Sequence, residues 1–136
     1  VRAAAVVRVN HQDDLDCFAQ VTDDGQWLHT DVALPRTRPI GGTIAHGFYT
    51  LALIPMLMGQ ILSLQGFGFV VNYGLNKVRF PAPLPVGERV RLRLSLEAIS
   101  SRPGSSDITL LSSLECPSQE KPVCVAESVV RVFELR

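Results

Sequence analysis

"IAHGFYTLALIPMLMGQIL", residues 44–62, is the stretch on which the fold turns. From Ile44 to Leu64, 21 residues pass without an Asp, Glu, Lys or Arg, which is the length of a membrane-spanning helix. His46, Pro55, Gly59 and Gln60 interrupt the run, and neither end carries an aromatic or basic belt. A long helix over 44–62, buried inside a domain, fits better than a span. Thr43 is placed to cap it and Pro55 should kink it. Because it is apolar nearly all round, it needs cover on more than one side.

That cover is written in the C-terminal half. After Gln65-Gly66 the hydrophobic period becomes two. "FGFVVNYGLNKVRF" at 67–80 reads as a long strand and "PAPLPVGE" as a turn. In "RVRLRLSLEAIS" at 89–100, Val90, Leu92, Leu94 and Leu96 face one way and Arg89, Arg91, Arg93 and Ser95 the other. "SRPGSSD" then leads into "ITLLSSLEC", and "PSQEKP" into "VCVAESVVRVFEL". An antiparallel sheet with one polar face must bury the other. The expected architecture is therefore α+β, a curved antiparallel sheet of residues 66–135 wrapped around a long central helix. Upstream, "QDDLDCFAQVT" sets Leu15, Phe18, Ala19 and Thr22 at helical spacing, with Asp13 and Asp14 near the start. Residues 23–42 read as irregular.

A chain of 136 residues, 46% apolar and 19% charged, suits a single globular domain over residues 1–136. Thirteen basic residues balance thirteen acidic ones, which argues against a nucleic-acid or anionic-membrane surface. Any anionic ligand must be met by local charge. The three cysteines lack metal-ligand spacing. Cys116 and Cys124 could bridge a hairpin, but the odd count favours reduced thiols and a cytoplasmic location. The opening "VRAAAVVRVN" has neither an initiator Met nor a signal-peptide core.

The residues richest in chemistry lie in "VTDDGQWLHTD", 21–31, where Asp24 and His29 stand five apart. Taken alone, Asp23 and Asp24 are ordinary turn carboxylates and His29 is a packed histidine near Trp27. The wider pattern changes that reading. The order of elements resembles the hot-dog fold. The motifs "FAQVTDDGQWLHTD" at 18–31, "GGTIAHGFYTLALIP" at 41–55 and "NYGLNKVRFPAPLPVGERV" at 72–90 resemble the MaoC-like dehydratase or (R)-specific enoyl-CoA hydratase family. Within it, the nodulation-protein-N-like branch is the most similar.

The resemblance implies reversible addition of water to a trans-2-enoyl-CoA, giving the (R)-3-hydroxyacyl-CoA, in fatty-acid metabolism. It implies a catalytic Asp followed five residues later by a His, which Asp24 and His29 match, and an oxyanion contact from the backbone N–H of Gly47. Two positions depart from the family. Asp23 replaces the usual Gly, which either disfavours ionisation of Asp24 or alters the turn. Val32 replaces the usual Pro after "HTD". A carboxylate and an imidazole can share one water, take its proton and return one to carbon. The charge that grows on the thioester oxygen needs a fixed donor, which a helix N-terminus supplies.

Neither a metal nor an organic cofactor is expected beyond the coenzyme A of the substrate. Its phosphates would meet Arg36, Arg38, Lys77 and Arg79, and an acyl-carrier thioester is the other form the substrate can take. A homodimer is expected, because a single hot-dog sheet leaves an edge strand open. The alternative is a hot-dog protein or partner subunit that binds acyl thioesters without turning them over. A thioesterase is weaker still. Among the remaining residues, His46 reads as structural, Asp31 as a local turn contact and Met56 and Met58 as core or tunnel lining. The arginines at 89, 91 and 93 read as a solvated strand face, and Cys17 as a small buried residue.

Overall fold

The computed structural model describes residues 2–33 and 41–135. Arg36 and Arg38 therefore lie outside the described residues. Five strands form one antiparallel sheet: β1 (Arg2–Val9), β2 (Phe67–Arg79), β3 (Arg89–Arg102), β4 (Ser105–Glu115) and β5 (Cys124–Glu134), in the order β1-β3-β4-β5-β2. The four C-terminal strands fall where the period-two pattern puts them. The strand β1 carries no such pattern in "RAAAVVRV"; its pairing with β3, Arg2 opposite Ser95 and Val9 opposite Arg89, creates it. Pro103 and Gly104 connect β3 to β4, and Gly104 takes the φ of 81° that a turn of this kind needs.

Along β3 the expected alternation holds through Val90, Leu92 and Leu94, all buried, with the arginines outside. Leu96 departs from it and is 42% exposed. It sits just before a register shift between Leu96 and Ala98, where it lines a gap of about 310 Å³ with Ile61, Leu62 and Leu64. The helical cover ends there.

The long helix is two short ones. Helix α3 spans Gly47–Ala52 and α4 spans Ile54–Ile61, joined at Leu53. Residues 43–46, expected as the cap and first turn, run extended instead. Ile44 bridges Pro85, the Ala45 N–H donates to the Leu84 carbonyl at 2.8 Å, and the Val86 N–H donates to the Thr43 carbonyl at 3.1 Å. Pairing with 84–86 satisfies these backbone groups, which a first helical turn would leave open. Pro55 marks the break as anticipated; it sits in the first turn of α4, where its missing N–H costs no hydrogen bond.

Tyr49, Leu53, Ile54 and Leu57 face the sheet and join Leu15, Leu84, Leu92, Leu114 and Cys124 in the core. A second cluster, built on Leu94, Ile108, Leu110, Val130 and Val132, shares Met58 and Ile61 with the first. The opposite face is open: Phe48 is 73% and Met56 42% exposed. The sheet thus covers one side of the helix and not all round it, and Met56 is not core. No described helix is long and apolar enough to cross a membrane.

Outside the sheet, Glu115 holds Arg91 at 2.7 Å and Arg93 at 2.8 Å, so the arginine face is exposed but paired. Asp107 accepts from Arg131 at 2.6 Å and from Arg102 at 2.7 Å, and the Arg131 guanidinium lies 3.7 Å from the Tyr73 ring centre. Cys116 and Cys124 are buried and unbridged; Cys17 is exposed on α1 (Gln12–Thr22), contrary to its sequence reading.

Candidate active site

The end of α1 aims the loop that follows. Asp23 takes φ 58°, ψ 26°, the left-handed conformation, and the Asp24 N–H closes back on the Ala19 carbonyl at 3.1 Å. This is a Schellman turn with Asp23 at the position that favours glycine. The family's usual Gly has its explanation here, and Asp23 tolerates the same geometry because Asp is among the few residues that visit it. One turn of helix, α2 (Trp27–Thr30), then buries His29. Gln12 fixes that turn: its Nε2 donates to the His29 carbonyl at 2.8 Å, while its Oε1 accepts from the Thr43 hydroxyl at 2.6 Å.

Two carbonyl contacts decide which ring nitrogens carry protons. His29 Nδ1 lies 2.7 Å from the Ile44 carbonyl, and His46 Nε2 lies 2.9 Å from the Asp24 carbonyl. A carbonyl oxygen only accepts, so both nitrogens donate. In the neutral ring this leaves a lone pair on His29 Nε2 and one on His46 Nδ1, which is buried and has no partner among the described residues. The two imidazoles stack at 3.8 Å with 24° between their planes, and Phe18 meets His46 at 4.9 Å.

The Asp24 side chain is exposed, yet one ligand atom from each of Asp24, His29 and His46 falls within 4.8 Å of the others. One water can span such a distance. The trio also has the composition of a metal site. Near-parallel rings, however, suit a shared tetrahedral ion poorly, since their lone pairs must converge on it.

Gly47 opens α3 beside this group. Its N–H, at the first helical position, has no acceptor within the helix. A Cβ there would come within 3.0 Å of the Phe80 ring, so glycine keeps the approach open. His29, Ile44, Gly47, Thr50, Phe80 and Val123 line a cavity of about 300 Å³. A second cavity, about 290 Å³ and mostly apolar, runs along the helix between Leu51, Pro55, Met58, Leu75 and Val129. A groove of about 520 Å³ lies elsewhere, beside Arg89, Arg91, Glu115 and Lys121.

Of the sequence-predicted residues, Asp24, His29 and Gly47 come together at one end of the helix. Lys77 and Arg79 do not join them. Both are exposed on β2, Lys77 opposite Glu127 in register and Arg79 donating to the Val78 carbonyl at 2.7 Å. Asp31 makes the turn contact expected of it, its Oδ1 accepting the Ala33 N–H at 3.0 Å. His46, read from the sequence as structural at the helix start, is buried at the N-cap of α3 and also stands within reach of Asp24 and His29. The signal for it was its place directly before Gly47.

Fold and site together define a hot-dog domain that brings a carboxylate and an imidazole to the mouth of its helix. The MaoC like domain family matches residues 2–112. 3-Hydroxyacyl-thioester dehydratase Z of Mycobacterium tuberculosis is 47% identical over 121 residues, covering 88% of this chain and 80% of the relative. Nodulation protein N of Rhizobium leguminosarum bv. viciae is 35% identical over 118 residues, 85% of this chain and 73% of the relative. The crystal structure of the MaoC-like dehydratase from Rhodospirillum rubrum shares the fold with a TM-score of 0.80 at 24% identity, over 100% of this chain and 92% of its own. The chain belongs to the MaoC-like dehydratase family.

Proposed function

We infer that this protein is an (R)-specific enoyl-thioester hydratase, interconverting a trans-2-enoyl-CoA and the (R)-3-hydroxyacyl-CoA in fatty-acid metabolism. The observation that carries the reading is the 2.7 Å contact between His29 Nδ1 and the Ile44 carbonyl. The Nδ1–H is committed to that carbonyl, which frees the Nε2 lone pair for a water beside the Asp24 carboxylate.

In hydration, the carboxylate of Asp24 takes a proton from that water while its oxygen bonds to C3. The C2–C3 π electrons move toward the thioester carbonyl, and the Gly47 N–H meets the charge on its oxygen. His29 orients the water, and the proton taken up by Asp24 passes through His29 Nε2 to C2, which returns both residues to their starting forms; the roles of Asp24 and His29 can also be exchanged. The reverse sequence is dehydration. The apolar cavity along the helix offers room for an acyl chain. The water supplies both the hydroxyl at C3 and the proton at C2, and the two residues only relay it, so the proposed mechanism calls on no cofactor.

Lys77 and Arg79 remain candidates for the carrier's phosphates, with Arg36 and Arg38. The buried free thiols of Cys116 and Cys124 support a reducing, cytoplasmic setting. The open edge of β2 supports a homodimer. The test is direct: mix the protein with crotonyl-CoA, follow the enoyl absorbance, and resolve the product's stereochemistry. Loss of absorbance with (R)-product supports the reading. Binding without turnover supports the non-catalytic alternative.

A further inference from the structure

We propose that His46 is the positioning residue that sets the distance between the two members of the Asp24–His29 pair. The inference rests on the hydratase reading and goes beyond it. One side chain reaches both partners by different means. Its Nε2–H holds the backbone carbonyl of Asp24 at 2.9 Å, and its ring forms a face on which the His29 imidazole lies at 3.8 Å. Its own place is fixed by two residues. The His46 carbonyl accepts from the Thr50 N–H at 3.0 Å and from the Thr50 hydroxyl at 3.1 Å, and Phe18 packs on the ring at 4.9 Å. The residue is 2% exposed.

Three elements that share no backbone hydrogen-bond ladder thus meet at one imidazole: the end of α1, the single turn of α2 and the start of α3. Asp24 has no helix or strand of its own to fix it. His46 ties its main chain to α3, the element that also presents Gly47.

A purely structural role would not select histidine. The buried Nδ1 finds no donor among the described residues, and a buried acceptor without a partner is destabilising. A glutamine amide could reach the same carbonyl, and a phenylalanine could fill the same volume. Only an aromatic ring with a donor at its tip does both.

The experiment separates the two contacts. His46→Gln keeps a donor without the ring, His46→Phe keeps the ring without the donor, and His46→Ala removes both. Misplacing a reacting group by about 1 Å can cost on the order of a hundred-fold in rate. Each variant should therefore lose kcat toward crotonyl-CoA, with His46→Ala losing about that factor and KM moving less than about three-fold. Long-range ¹H–¹⁵N spectra of the imidazoles provide a readout independent of turnover: His29 should be the Nδ1–H tautomer in the wild type and a mixture in His46→Ala. If folded His46→Gln and His46→Phe both keep wild-type kcat and the His29 tautomer is unmoved, the proposal is overturned. If the wild type fails to hydrate crotonyl-CoA while the tautomer still shifts on substitution, the hydratase reading fails and the positioning role stands.

Discussion

At Asp23 the backbone explains a departure that the sequence could only flag. A second carboxylate next to Asp24 raised an electrostatic question, and the left-handed φ of 58° turns it into a conformational one. Left-handed geometry costs an L-residue roughly 1–2 kcal/mol, less for Asp, and glycine avoids it at some entropic cost. Asp23→Gly should therefore raise unfolding free energy by about 0.5–1 kcal/mol in chemical denaturation, with activity retained. A loss of stability would contradict the Schellman turn. Gly47 makes the opposite case, since there any side chain meets the Phe80 ring. Because Phe80 is half-exposed and can yield, Gly47→Ala should keep the fold and lose activity, as circular dichroism and the crotonyl-CoA assay would show. Asp24, His29 and Gly47 were picked out by the resemblance of their motifs, since spacing alone reads Asp24 as a turn carboxylate and His29 as a packed histidine. The surroundings of His46 were not legible, because its contact with the Asp24 carbonyl and its stacking on His29 follow no spacing rule.

Among the elements, the strands were the easiest to read, since half-buried strands alternate and β3, β4 and β5 do so. The helix was readable in composition but not in its start. Residues 43–46 exchange a helical turn for pairing with 84–86, a choice made by tertiary contact. The strand β1 was missed for the same reason. Cross-strand charges bear on stability in acid. Arg131 holds Asp107 below the usual carboxylate range, with Arg102 adding to this, and Arg91 and Arg93 do the same for Glu115. Both carboxyls are more acidic folded than unfolded. Their contribution is thus complete above the unfolded pKa near 4 and is lost as pH falls through the folded values. Asp107→Asn should flatten that acid limb in pH-dependent denaturation; an unchanged limb would remove Asp107 from the account. The buried Cys124 thiol is pushed up to about 11 by desolvation, so it stays protonated near neutrality. A thiol reagent should label Cys17 in the native protein and reach Cys116 and Cys124 only on unfolding, a difference mass spectrometry resolves.

For the whole molecule, the open surfaces point in one direction. The edge strand β2 exposes Phe69, Val71, Tyr73 and Leu75, and the helices expose Phe48 and Met56. Apolar area of this kind on an unpaired edge calls for a partner. A second copy would cover β2 and would supply the rest of the cover that an all-apolar helix requires. Light scattering at micromolar concentration should give twice the 14.9 kDa mass of the chain, and Val71→Lys should shift it toward the monomer. A monomeric wild type would contradict the dimer. The central claim, that Asp24 and His29 act together on one water, is tested most directly by a double-mutant cycle on crotonyl-CoA hydration. General acid–base participation contributes roughly a hundred- to ten-thousand-fold. Asp24→Asn and His29→Gln should each lower kcat by about that factor with thioester binding little changed, and the double variant should be only slightly slower than either. Losses that multiply in the double variant would contradict a shared water, and Asp23→Asn abolishing turnover while Asp24→Asn kept it would move the chemistry to the other carboxylate.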